Sequence, residues 1–61
     1  MCQINAYVER GGIEELIMEN VDIVEPEGKN ISLRSIFGEQ KVLPLRIKYI
    51  SMVNNKITLE E

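Results

Sequence analysis

Nine isoleucines and five valines stand against a single alanine, Ala6, in a chain of 61 residues. β-branched side chains crowd the preceding turn of a helix but suit a pleated surface, so this imbalance directs the chain toward strands. The apolar share of 44% supplies one small core, and residues 1–61 read as a single domain. A domain of about 60 residues buries only about 60% of its unfolded surface, which leaves it dependent on a metal, a disulfide or a partner chain. With no histidine, no tryptophan and one cysteine, Cys2, one chain assembles neither a disulfide nor a Cys/His zinc site.

From Cys2 to Glu9 the residues alternate, with Cys2, Ile4, Ala6 and Val8 on one face and Gln3, Asn5, Tyr7 and Glu9 on the other. This is a strand with one apolar face. Arg10-Gly11-Gly12 permits a tight return. Residues 13–18 fit helical spacing as well as a buried strand, but a helix here would start on Gly-Gly without a cap, so strand is the better reading. A turn at Asn20 and a third short strand from Val21 to Glu25 follow. Pro26-Glu27-Gly28-Lys29-Asn30 signals another turn.

Asn30 to Ser35 alternates again, and Ile36-Phe37-Gly38-Glu39 interrupts it. The strand beginning at Gln40 must meet an edge, bulge or bend at Pro44, which lacks a backbone donor. Beyond it, Leu45, Ile47 and Tyr49 give way to Ile50 and Met52 as the apolar phase, so a bulge or change of partner is expected near Tyr49. Asn54-Asn55 reads as a two-residue hairpin loop, followed by a strand with Ile57 and Leu59 inward. The fold class is therefore all-β: a small meander of five to seven short strands, closed or half-closed into an SH3-like or Sm-like barrel. Free edges on so small a barrel favour pairing with a second copy, so a homodimer is expected.

Seven bases against ten acids give a net charge of −3, which argues against a generic nucleic-acid or membrane-surface binder. Residues 9–27 are acidic and residues 28–50 basic, which a barrel would display as solvated faces. No apolar run approaches the ~18 residues of a membrane span, and no signal peptide is evident. A cytoplasmic location, where a free thiol stays reduced, is expected.

Cys2 shares the apolar face of Ile4, Ala6 and Val8, so one reading makes it a small buried hydrophobe. The other makes it a ligand. Loss of Met1 would leave the Cys2 amine, the thiolate and the Gln3 backbone nitrogen as a compact donor set; with Met1 retained, its amine, the Cys2 amide nitrogen and the thiolate form a related one. Planar nitrogen and sulfur donors suit nickel or copper rather than magnesium. One chain supplies too few ligands, whereas a twofold dimer joining two Cys2 residues would complete four.

The opening Met-Cys-Gln-Ile-Asn-Ala-Tyr, the central Val-Asp-Ile-Val-Glu-Pro-Glu-Gly, the run from Leu33 to Lys41 and the late Arg46-Ile47-Lys48 resemble the CooT family of small nickel-binding proteins. The resemblance covers nearly the whole chain. It implies a homodimer of small β-barrels that binds nickel through Cys2 of both subunits, some members being linked to nickel delivery for carbon monoxide dehydrogenase. The implied function is a metallochaperone or nickel buffer rather than an enzyme, with a nickel enzyme or its maturation machinery as partner.

The family has also carried a "predicted RNA-binding" label. The alternative is thus an RNA-binding barrel using Lys41, Arg46 and Lys48, with Tyr49 and Phe37 available for stacking; a buried Phe37 weighs against it. Glu14-Glu15 and the acids that follow lack calcium-loop spacing and read as a solvated face. Gly11-Gly12 lacks the lysine and helix of a phosphate loop. Without a histidine to act as base near neutral pH, an enzyme is the weakest reading.

Overall fold

The computed structural model describes residues 3–61; Met1 and Cys2 lie outside the described residues. Six strands follow one another: β1 (Ile4–Arg10), β2 (Ile13–Glu27), β3 (Asn30–Ser35), β4 (Gln40–Leu43), β5 (Arg46–Ser51) and β6 (Lys56–Glu60). They form one sheet in the order β4-β3-β2-β1-β6-β5. The chain is all-β, as its β-branched composition requires. It is not a simple meander, because β6 returns to the free edge of β1 and pairs with it in parallel, Asn5 opposite Lys56 and Val8 opposite Leu59.

The turns follow from their glycines. Gly11 and Gly12 both take positive φ, 61° and 81°, between the paired Arg10 and Ile13, as a type I′ hairpin demands. Gly28 alone does so in the Gly28-Lys29 turn, so β2 extends through Pro26 to Glu27 and the return is tighter than the Pro-Glu-Gly-Lys-Asn run suggests. Between β5 and β6 the loop is Met52 to Asn55, four residues rather than two. Asn55 takes φ 51°, and Ser51 Oγ accepts a hydrogen bond from Asn54 N at 3.3 Å.

At Asn20 the expected turn is absent. Residues 13–27 are one strand that bends where Asn20 enters the left-handed region at φ 54°. Register shifts flank the bend on both sides, against β1 between Ala6 and Tyr7 and between Ile4 and Ala6, and against β3 between Val21 and Ile23. Each bulge adds twist and bends the strand, so β2 serves β1 with its first half and β3 with its second. Asn20 therefore kinks the strand without reversing it.

β4 and β5 lie at opposite edges of the sheet order, yet only Pro44 and Leu45 join them. Consecutive Cα atoms are about 3.8 Å apart, so this link holds the two edges within about 11 Å at that corner and the sheet must curl. No β4–β5 ladder completes the circle among the described residues: β4 pairs with β3 and β5 with β6. Of the closed and half-closed forms expected, the sheet takes the half-closed one, curled and open, and Pro44, without an N–H, sits at the opening. The shift anticipated near Tyr49 is present, with Ile47 opposite Leu59, Tyr49 opposite Thr58 and Lys48 as the extra residue.

The concave side holds the core: Ala6 and Val8 of β1, Met18 and Val21 of β2, Ile31 and Leu33 of β3, Leu45, and Ile57 and Leu59 of β6. Ile4, Ile17, Val24 and Leu43 pack against it. The apolar phases read from β1, β3 and β6 are the buried ones. No helix among the described residues is long and apolar enough to cross a membrane.

Candidate metal centre

The proposed ligand Cys2 lies outside the described residues, but the frame that begins beside it is well defined. Asn5 ties the start of β1 on two sides. Its backbone N–H donates to Asn55 O at 3.0 Å, and its Oδ1 accepts from Asn20 N at 3.2 Å. Asn20 O in turn accepts from Ile36 N at 2.9 Å. A chain of hydrogen bonds thus links the β5–β6 loop, the start of β1, the bend of β2 and the β3–β4 turn. Both kinks that carry a left-handed asparagine, Asn20 and Asn55, meet at Asn5.

Buried Ser35 shapes the β3–β4 turn. Its Oγ accepts from Phe37 N and from Glu39 N, each at 3.1 Å, and Gly38 closes the turn with φ 87°. The consequence is that Phe37 is carried outward and is 80% exposed, against the expectation of a buried ring. Ile36 beside it is exposed, and across the Asn5 junction Met52 and Val53 are 78% and 93% exposed. Both turns lie at the end of the sheet where β1 starts, and exposed apolar side chains of this size are the kind that interfaces cover.

On the convex face the tyrosines and Glu14 build a polar cluster. Thr58, opposite both Tyr7 and Tyr49, is fully buried and donates from Oγ1 to Glu14 Oε2 at 3.0 Å. Tyr49 Oη donates to the same oxygen at 2.7 Å, and Lys56 Nζ donates to Glu14 Oε1 while standing 5.3 Å from the centre of the Tyr7 ring. Glu14 is thus no member of a plain solvated face. Hydrogen bonding from Lys56, then from Tyr49, holds its carboxyl at a pKa of about 2, down from 4.5, against a smaller opposing effect of desolvation. Hydrogen bonding from Glu14 raises Lys56 correspondingly.

A depressed carboxyl stabilises the fold above its unfolded pKa, and that contribution disappears as the pH falls through the folded value. The gap in melting temperature between the wild type and Glu14→Gln is therefore expected to be full above pH 4.5 and to close toward pH 2. Thermal melts across that range check it.

The basic residues considered for RNA each lie against an acidic side chain. Lys41 of β4 donates from Nζ to Ile17 O at 2.9 Å, a carbonyl next to the β2 bulge, and lies 3.9 Å from Glu39. Arg46 and Lys48 belong to β5, at the other edge of the sheet, and pair with Glu60 and Glu9. The Glu9–Lys48 pair also joins the acidic and basic halves of the sequence, so these do not divide cleanly into two faces. Among the described residues no group of three or more His, Cys, Asp or Glu side chains is placed to hold a metal ion.

Residues 1–60 match the family described as CO dehydrogenase accessory protein CooT. The chain belongs to the CooT family. A protein from Methanocaldococcus jannaschii, described as uncharacterized, is 38% identical over 60 residues, spanning 98% of each chain. A crystal structure from Carboxydothermus hydrogenoformans, assigned as CooT, superposes with a TM-score of 0.90 at 37% identity, covering 98% of this chain and 97% of that one. The CooT match begins at residue 1 and so takes in Cys2, the start of β1 and both exposed turns. Sequence reasoning missed Asn5 and Ser35; the only trace of either was the Ser-x-Phe-Gly pattern after an alternating strand, which marks a hydroxyl-capped turn.

Proposed function

We propose that this CooT-family protein is a nickel-binding metallochaperone or nickel buffer, in which Cys2 of each of two subunits supplies a thiolate to one Ni(II). It serves maturation of carbon monoxide dehydrogenase in the cytoplasm and has no catalytic role of its own. The observation that carries this reading is the match of residues 1–60 to an accessory protein of CO dehydrogenase, a nickel enzyme. The donor chemistry supports it: a thiolate with neighbouring backbone or terminal nitrogens suits a square-planar divalent ion. With one cysteine and no histidine per chain, a shared site between two copies supplies what one chain lacks.

The exposed Ile36, Phe37, Met52 and Val53 supply an apolar surface for that second copy, and the hydrogen bonds of Asn5 join it to the start of β1. Docking there brings two N-terminal segments together. The double substitution Phe37→Asp, Val53→Asp is expected to turn the dimer into a folded monomer, read by sedimentation equilibrium and circular dichroism, because like charges would then face each other across the twofold axis. A variant that stayed dimeric would place the interface elsewhere. The function itself is tested by titrating nickel while following thiolate-to-metal charge-transfer absorption, with saturation expected near about one metal per two chains.

A further inference from the structure

We propose that the opening between the starts of β3 and β5 is a docking groove for an extended acidic segment of a partner protein. β3 and β5 run from this opening toward the exposed turns that hold Phe37 and Met52, so the groove lies at the opposite end of these strands from the proposed dimer surface. It encloses a cavity of about 410 Å³, within the range of about 300–1,000 Å³ usual for binding pockets. Pro26, Ile31, Leu45 and Ile47 give it an apolar lining, and Lys29 and Arg46 are its charged residues.

Two observations identify the occupant. The first is charge. A chain with ten acids and seven bases lines this cavity with two cations and no acid. Lys29 makes no ion pair among the described residues, and the Arg46 contact with Glu60, 3.4 Å on a side chain 74% exposed, is a surface pair of small worth. A guanidinium so placed can donate to an incoming carboxylate, bidentate geometry being available to it.

The second is the backbone. β5 pairs only with β6 and β4 only with β3 among the described residues, so each keeps an outer edge of unused donors and acceptors. β4 ends at Leu43, opposite Ile31, and Pro44 prevents it from continuing across the opening. An incoming strand adds its main chain to the start of β5, places one aliphatic side chain against Pro26 and Ile47 above the buried Ile31 and Leu45, and presents flanking carboxylates to Lys29 and Arg46. This is strand addition, with main-chain bonds for affinity and the cavity and its charges for selectivity. The groove works without the metal, and its test is independent of nickel.

The experiment is a titration of the metal-free, 15N-labelled protein with the capped peptide Ac-Glu-Val-Asp-Ile-Glu-Val-NH2, and separately with Ac-Lys-Val-Lys-Ile-Lys-Val-NH2. Saturable amide shifts are expected at Lys29, Asn30, Arg46 and Ile47, with the acidic peptide favoured by about tenfold or more, since like charges at an interface are strongly disfavoured. The double substitution Lys29→Glu, Arg46→Glu changes exposed side chains and is expected to melt like the wild type while losing at least about tenfold in affinity for the acidic peptide. Equal binding of both peptides would overturn the proposal. So would shifts confined to the Phe37 and Met52 turns, absence of saturation up to about 5 mM, or groove shifts that depend on protein concentration alone, which would assign the groove to a second copy.

Discussion

Leu59→Ala is expected to remove most of the stability of the fold, leaving a chain that unfolds at or near ambient temperature by circular dichroism. Leu59 is fully buried and sits on β6, facing Val8 on one side and Ile47 on the other. β6 is the strand through which β5 joins the rest of the sheet. Truncating a buried leucine costs about 2–5 kcal/mol, from lost transfer free energy and the cavity left behind. At about 0.05–0.15 kcal/mol per residue, a domain of this length has only about 3–9 kcal/mol in total. The same kind of deletion on the surface, Ile13→Ala at a residue 67% exposed, is expected to cost about 0.5 kcal/mol or less. Denaturant unfolding of the two variants separates them, and similar losses would contradict the assignment of the core.

Much of this core was legible in the sequence because period-two alternation and burial have the same cause. Ala6 and Val8, Ile31 and Leu33, Ile57 and Leu59 each occupy alternate positions, and all six are buried. The type I′ turn was legible because Gly11-Gly12 leaves little other choice. The phase change between Ile47 and Ile50 gave away the bulge at Lys48.

What escaped the sequence depended on partners far along the chain. Asn20 carries the same local signal whether it starts a turn or bends a strand, and the bend is settled by Asn5 and Ile36, 15 and 16 residues away. Phe37 is apolar and would be placed inside on composition; Ser35 Oγ, by holding two amides of the turn, puts it outside. Glu14 looked like one acid among many until Lys56, Tyr49 and Thr58 arrived from β5 and β6. The parallel pairing of β1 with β6 has no local signature, because the residues that meet lie about fifty positions apart.

The candidate site divides in the same way. Cys2 was singled out by elimination and by the CooT resemblance, and the family match covers it. The hydrogen bonds of Asn5, which fix the chain three residues further on, emerged only from the fold. Cys2→Ser is accordingly expected to abolish tight nickel binding while leaving the fold and its melting temperature nearly unchanged. A serine hydroxyl is a hard, protonated oxygen at neutral pH and replaces a soft thiolate poorly. In a shared site the substitution removes both sulfur ligands together, so the loss should exceed the roughly tenfold to hundredfold cost of changing an outer-shell partner. Charge-transfer absorption should vanish with it.

The most direct measurement is native mass spectrometry of the nickel-loaded protein beside its Cys2→Ser variant. The account predicts one nickel ion on a species of two wild-type chains and none on the variant dimer. Nickel carried by a single chain, or by the variant to the same extent as the wild type, would contradict a site shared between two Cys2 thiolates.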